Sequence, residues 1–151
     1  CDDAKHVGTR SELPSAFATA DLLASEVDFF SLGTNDLTQY TMAADRGNSN
    51  VADLAQALNP AVLRLISQTV NSGHEAGIWV GMCGELAGNS LATPLLVGLG
   101  LDELSMSAPS IPSVKEAVRN ITLEEARRLA ETILNLDSAG AVTEYRASSA
   151  A

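Results

Sequence analysis

Cations are scarce in this sequence of 151 residues, because lysine and arginine together number 9 against 19 aspartates and glutamates, and the net charge is −10. A surface of that sign repels nucleic acid and anionic membranes, so we expect neither as a partner. Long apolar runs are also missing, since none approaches the ~18 residues of a membrane span. An acidic protein can still bind an anionic ligand where cationic side chains, backbone N–H groups or a metal ion supply local positive charge.

Cysteine is rare as well, and Cys1 and Cys83 show no CxxC or other metal-binding spacing. This usage is typical of the reducing cytoplasm. The polar N-terminus does not resemble a secretory signal, and its lack of an initiating methionine indicates a fragment, a processed chain or an incomplete sequence. The contents of 46% apolar and 19% charged residues are those of a folded globular protein. We expect one domain over residues 1–137 and a frayed tail at 138–151.

Short apolar runs alternate with amphipathic segments four times along the chain. The apolar runs predict strands, and the apolar character of the middle two favours strands covered on both faces. The strands are expected near residues 7–13, 27–32, 78–83 and 103–107. The amphipathic segments predict helices near residues 15–25, 60–75, 91–99, 112–119 and 122–136. Asn59-Pro60 predicts a capped helix start, and Thr122 with Glu125 predicts a capping box.

Repeated β-α units predict an α/β protein of the (β/α)8 TIM-barrel type, here with only about four units, or half a barrel. Half a barrel alone would leave two open sheet edges. Either the strands flatten into a small open sheet, or another half completes the barrel.

Polar and reactive side chains follow the predicted strands, at the edge of the sheet where α/β proteins place their sites. Glu12 follows the first strand and Asn35-Asp36 the second, with Arg46 further along that loop, and Cys83 ends the third. Each has a plain alternative: a solvated strand end for Glu12, a turn for Asn35-Asp36, a surface ion pair for Arg46, and an inert buried thiol for Cys83.

The common position of these side chains favours a site. Glu12 and Asp36 can share a hard cation such as Mg²⁺, which takes one or two carboxylates and leaves positions for water and phosphate oxygens. The fork of Arg46 suits phosphate. Glycines on both sides of Cys83 let a substrate approach the thiol. The pattern predicts a phosphorylated, carboxylate-bearing ligand held by a metal beside a thiol.

Three segments carry a resemblance to a known family: FFSLGTNDLTQYTMAADRGN, GMCGELAG and LGLDELSMSAPSIPSVKEA. They resemble the C-terminal domain of the enzyme I family of the bacterial sugar phosphotransferase system, the phosphoenolpyruvate–protein phosphotransferases, over about residues 12–131. Pyruvate phosphate dikinase and phosphoenolpyruvate synthase share GTND and MCGE-like signatures and stay an alternative. The continuation LTQYTMAADRGN and the GELAG ending look more like enzyme I.

The resemblance implies a barrel that binds phosphoenolpyruvate and Mg²⁺. The phosphoryl group passes to a histidine of a separate domain and on to a histidine-containing phosphocarrier protein, and pyruvate is released. Glu12 and Asp36 are implied as metal ligands, and Asn35, Asp36 and Arg46 as substrate-binding residues. Cys83 is implied as the catalytic acid–base that protonates the enolate carbon. A cytoplasmic homodimer is implied as well.

Two departures from the family pattern matter. Thr9-Arg10-Ser11 replaces an apolar strand, so that Thr9 and Ser11 fall on the helix-covered face. Arg10 shares the inner face with Glu12, where it either clashes with the core or pairs with that carboxylate. The family's first four β-α units, with two more phosphate-binding arginines, and its phosphohistidine domain are missing here. We therefore expect no complete turnover from the chain alone, and a non-catalytic interaction or dimerisation module of the same fold stays the alternative function.

Overall fold

The computed structural model describes residues 6–45 and 47–149, and a four-stranded parallel sheet lies at its centre. The strands are β1 (Gly8–Ser11), β2 (Phe29–Gly33), β3 (Trp79–Cys83) and β4 (Glu103–Ser105), and they lie side by side in chain order. Each link between strands passes through helices, as parallel pairing requires. The predicted α/β class is confirmed, with four β-α units that correspond to half of a TIM barrel.

Helices follow every strand. They are α1 (Pro14–Ala18), α2 (Ala20–Leu23), α3 (Thr34–Met42), α4 (Pro60–Glu75), α5 (Thr93–Gly98), α6 (Ile111–Arg119), α7 (Leu123–Leu134) and α8 (Ala139–Ser149). Both predicted caps are confirmed, because Asn59 Oδ1 accepts the Ala61 N–H at 2.9 Å and the Thr122–Glu125 capping box forms at the start of α7. Within the described ranges, no helix combines the length and apolar character needed to cross a membrane.

The apolar core lies between the helices and one face of the sheet. Phe30 and Leu32 of β2 and Val80 and Met82 of β3 alternate onto this face, and all four are almost fully buried. Burying a large apolar side chain contributes about 1.5–3 kcal/mol, so this face anchors the sheet. The helices supply the facing layer, which includes Phe17, Leu37, Leu63, Ile66, Val70, Leu95, Leu96 and Ile133.

The opposite face of the sheet, which would be the interior of a closed barrel, is more exposed. Trp79 is 41% exposed there and stacks on Phe29, with ring centroids 4.5 Å apart and ring planes 7° apart. Gly8 makes room for this stack, because a Cβ atom at that position would overlap the Phe29 ring. We call this surface the open face of the sheet.

Three expectations differ from the structure. The helix expected at 15–25 is divided by Thr19, whose backbone (φ −118°, ψ 27°) is not helical. The segment after Gly33, expected as a turn and loop, begins α3 at once, because burial of Leu37 draws it against the core. The tail expected to be frayed at 138–151 is helical over 139–149, and Val142 is fully buried.

Candidate functional site

The segments that follow β2 and β3 are hydrogen-bonded to each other at the C-terminal edge of the sheet. The Thr34 hydroxyl donates to the Cys83 carbonyl at 3.3 Å, and the Glu85 N–H donates to Asn35 Oδ1 at 3.3 Å. Gly84 has a φ of +118°, and a Cβ atom there would lie 2.8 Å from Thr34 Oγ1. Glycine at this position therefore allows the two motif segments to meet.

Asn35 lies in the first turn of α3, which begins at Thr34 with Gly33 as its N-cap residue. Because its Oδ1 accepts a backbone N–H, its amide NH2 group is the donor that remains, and no acceptor for it occurs among the described residues. The first N–H groups of a helix also attract negative charge. This end of α3 is therefore suited to an anionic ligand.

Glu12 lies just after β1, beside the start of α3. Its side chain fills the space next to Gly33, where an added Cβ atom would lie 2.6 Å from Glu12 Cγ. Arg10 Nε contacts Glu12 Oε1 at 2.6 Å. Of the two outcomes expected for Arg10, the ion pair with Glu12 is therefore confirmed, and the clash with the core is not. Asp36 lies in the first turn of the same helix. The structure thus brings both predicted metal-ligand carboxylates to one end of α3.

A metal at this position would have to be completed by oxygen atoms from outside the chain. Two carboxylates, Glu12 and Asp36, suit Mg²⁺ because that ion usually keeps several waters or substrate oxygens. No group of three or more His, Cys, Asp or Glu side chains that could hold a metal ion occurs in residues 6–45 and 47–149. Glu12 and Asp36 would therefore supply only part of the coordination of a bound Mg²⁺ and leave its other positions to water or ligand oxygens.

Cys83 ends β3 on the open face of the sheet as a free, partly exposed thiol. Its S–H donates to the Leu32 carbonyl at 3.5 Å, and the Ser31 hydroxyl donates to its sulfur at 3.9 Å. Gly81, on the same face, has no side chain to crowd the sulfur. A partly exposed thiol is accessible to a ligand, whereas structural cysteines are usually fully buried.

A pocket of about 490 Å³ opens beside these segments, between Asn35 and the loop after β4. Glu85, Ser107 and Ser110 line it, and the two serine hydroxyls lie 3.2 Å apart. Asn35 borders this pocket, whereas Glu12, Asp36 and Cys83 lie outside its lining. Arg46, predicted to bind phosphate, lies outside the described residues.

Sequence reasoning did not identify Ser31, Thr34 or Ser110 as part of the site. Serine and threonine are common everywhere, and only the strand register brings Ser31 next to Cys83. Cys83 pairs with Gly33 of β2, and Ser31 lies two residues before Gly33 on the same face of the sheet. The GTND segment itself was the signal that could have indicated Thr34.

The fold defines a class: half of a parallel α/β barrel, with its candidate site at the carboxyl ends of the strands. A family model described as PEP-utilising enzyme, PEP-binding domain matches residues 1–123. The chain belongs to this family.

Several curated relatives are similar to the chain over almost all of its length. The phosphoenolpyruvate-protein phosphotransferase of Geobacillus stearothermophilus is 53% identical over 143 residues, which cover 95% of this chain and 25% of the relative. The proteins of the same name from Haemophilus influenzae and Bacillus subtilis are each 50% identical, over 95% and 92% of this chain. The chain thus spans about a quarter of the length of the relatives it matches.

Proposed function

We propose that this chain supplies the C-terminal half of the phosphoenolpyruvate-binding barrel of a phosphoenolpyruvate–protein phosphotransferase. Such an enzyme transfers the phosphoryl group of phosphoenolpyruvate to an enzyme histidine and on to a phosphocarrier protein, and it releases pyruvate. The observation that carries the proposal is the junction of the two motif segments, where Thr34 bonds the Cys83 carbonyl and Asn35 accepts the Glu85 N–H. This junction gathers an amide donor, carboxylates and a thiol at one edge of the sheet.

Binding of the substrate is assigned to the end of α3. The NH2 group of Asn35 donates to an anionic oxygen of phosphoenolpyruvate, and Arg46 pairs with the phosphate. Glu12 and Asp36 would hold Mg²⁺, which when bound neutralises charge on the phosphoryl group. Arg10 orients the Glu12 side chain through its 2.6 Å contact. Positioning and charge neutralisation are the main requirements of phosphoryl transfer.

Cys83 is assigned the proton step. When the bond between phosphorus and the enol oxygen breaks, the oxygen retains the electron pair and the enolate of pyruvate forms. The enolate carbon then takes the proton of the Cys83 thiol, and the sulfur is left as a thiolate. The Ser31 hydroxyl, which already donates to this sulfur at 3.9 Å, stabilises the thiolate until it regains a proton from water.

The biological setting follows from the same proposal. We assign the chain to a cytoplasmic homodimer in the phosphotransferase system for sugar transport, with the phosphocarrier protein binding through a domain outside this sequence. A dikinase or synthase has less support, because the three relatives described above carry the name phosphotransferase.

A chimera tests the proposal directly. This chain replaces the matching 143 residues of the Geobacillus stearothermophilus relative, and calorimetry measures phosphoenolpyruvate binding with and without Mg²⁺. We expect Mg²⁺-dependent binding that Asp36→Asn weakens at least about tenfold, as expected for a lost charge-assisted contact. Asp53→Asn is the matched control, because that carboxylate is exposed in a separate 3-10 turn at Ala52–Leu54. A folded chimera that does not bind phosphoenolpyruvate contradicts the proposal.

A non-catalytic association module is the second candidate, and the open face of the sheet favours it. Strand β1 and strand β4 each pair on one side only within the described sheet, and the stacked Phe29–Trp79 rings are partly exposed between them. Open edges and apolar rings both promote pairing of copies. Sedimentation of the chain at rising concentration tests this candidate, with the emission of Trp79, its one tryptophan, as the second readout. A monomer whose emission does not change contradicts it.

A further inference from the structure

A second and larger pocket lies among the outer helices, and its lining includes none of Glu12, Asn35, Asp36 and Cys83. Its volume is about 810 Å³, against about 490 Å³ for the pocket beside Asn35. It lies between α5, α6, α7 and α8, and its walls include Leu91, Leu129, Arg128 and Arg146. Pockets that hold small organic ligands usually measure about 300–1,000 Å³, so this one has the capacity for a ligand.

Arg146 is the first reason to expect an anion there. Burial lowers the pKa of this guanidinium, although an arginine stays charged at neutral pH. Arg10, Arg64 and Arg128 each contact a carboxylate or a carbonyl oxygen. Arg146 makes no ion pair or hydrogen bond with any residue that the structure describes. A half-buried cation without a partner is costly, and an anionic ligand would remove that cost.

The other charged groups of the pocket leave it positive. Arg128 contacts Glu124 at 3.4 Å, but both side chains are mostly exposed, and such pairs contribute little. Glu125 is the one carboxylate of the lining, and its Oε2 accepts from the Thr122 N–H at 2.9 Å and from its hydroxyl at 2.7 Å. The lining therefore carries two cations against one engaged anion, in a chain of net charge −10.

The rest of the wall is mixed, with polar Ser90, Asn120 and Thr132 beside a group of apolar side chains. Leu91 is 64% exposed at the pocket and Pro94, Ile121 and Leu129 lie with it. A bare inorganic ion would leave these side chains in contact with water. A ligand with an anionic head and an apolar body would cover them and gain about 25 cal/mol per Å² of apolar surface removed from water.

We propose that this pocket binds an organic anion, with its carboxylate or phosphate group held by Arg146 and Arg128 and its apolar body packed against Leu91 and Leu129. The proposal is independent of phosphoenolpyruvate binding, because the strand-end residues Asn35 and Cys83 take no part in it. Planar, forked guanidinium groups bind carboxylate and phosphate through paired hydrogen bonds.

Calorimetric titration of the chain with phenyl phosphate, benzoate, phenol and inorganic phosphate tests the proposal. We expect phenyl phosphate or benzoate to bind at least about tenfold more tightly than phenol and inorganic phosphate, since each charge-assisted contact has that weight. The stronger of the two anions identifies the preferred head group. If phenol binds as tightly as phenyl phosphate and benzoate, or if neither organic anion binds, the proposal is overturned.

Variants locate the binding. Arg146→Gln is expected to weaken binding of the organic anion at least about tenfold. Arg127→Gln, on the exposed side of α7, makes the same change in charge and is expected to leave the affinity unchanged. Leu91→Asp gives a second test that leaves Arg146 in place, with Leu22→Asp, 67% exposed on α2, as its control. Circular dichroism verifies that each variant is folded. Unchanged binding in a folded Arg146→Gln or Leu91→Asp variant overturns the assignment.

Discussion

Gly84 connects β3 to Glu85 with a φ of +118°, a conformation that favours glycine, and it lies against the start of α3. In Gly84→Ala the new Cβ atom would lie 2.8 Å from Thr34 Oγ1 and 3.2 Å from Asn35 Oδ1. Residues forced into sparsely populated backbone regions cost about 1–3 kcal/mol. Displacing the Thr34 hydroxyl from the Cys83 carbonyl adds about 1 kcal/mol for a lost hydrogen bond. We expect a total loss of about 2–4 kcal/mol in the free energy of unfolding.

Gly77→Ala is the matched control for this change. Gly77 follows α4 with a φ of +77°, and no atom lies within 4 Å of an added Cβ. It therefore carries the backbone cost alone, about 1–2 kcal/mol. Urea unfolding followed by circular dichroism measures the free energy of unfolding of both variants. Thermal unfolding gives a second measurement, because each kcal/mol lost lowers the melting temperature by about 2–4 °C in a chain of this size. If Gly84→Ala costs no more than Gly77→Ala, the close contact between the motif segments does not exist as described.

The remaining predictions concern the outer helices. Gly98→Ala would place a Cβ atom against the backbone carbonyl of Ala126, so we expect urea unfolding to show a loss of about 3 kcal/mol in the free energy of unfolding. Gly140→Ala in α8 is the control, because its Cβ atom meets nothing within 4 Å, and the free energy of unfolding should rise by about 0.5 kcal/mol. Thr122→Ala removes the N-cap of α7 and should cost about 1 kcal/mol in the same assay. Hydrogen bonds from the Thr122 hydroxyl and then its backbone lower the pKa of Glu125. The ionised Glu125 carboxylate therefore stabilises the fold at pH values above its ordinary pKa of 4.5, and this stabilisation is lost as the pH falls through the lowered pKa. Glu125→Gln should reduce the dependence of the free energy of unfolding on pH in this acidic range. An unchanged pH dependence contradicts the assignment.

Local chemistry explains why part of the fold was predictable from sequence. The apolar runs of β2 and β3 and the caps at Asn59 and Thr122 depend on neighbouring residues, and they formed as predicted. Helix α3 was missed because no side chain caps it and Leu37 is one of few apolar residues on its buried face. Helix α8 was missed because Val142 is the one aliphatic side chain larger than alanine in AGAVTEYRASS, which is too few for a helical apolar pattern. Tertiary packing decided both cases.

The sequence was sufficient to predict which residues lie at the candidate site, but not the hydrogen bonds that join the two motif segments. The order of parallel strands placed Glu12, Asn35, Asp36 and Cys83 at one edge, and the pairing of Arg10 with Glu12 followed from their shared face. The bond between Thr34 and the Cys83 carbonyl depends on the strand register and on the backbone of Gly84; the sequence shows these residues but not that they meet. The pocket lined by Arg128 and Arg146 depends on α8, and the sequence predicts a frayed tail over that segment.

Protonation of the enolate carbon by the Cys83 thiol, as proposed above, can be measured through exchange of the pyruvate methyl protons with D₂O. The measurement uses the chimera with Mg²⁺ and pyruvate, and NMR follows the loss of the methyl signal. Cys83→Ser should slow the exchange at least about 100-fold, the usual weight of general acid–base catalysis. Met82→Leu, on the buried face of the same strand, should leave the exchange rate unchanged. Exchange at the unchanged rate in a folded Cys83→Ser chimera that binds pyruvate would contradict the assignment of the proton step to Cys83.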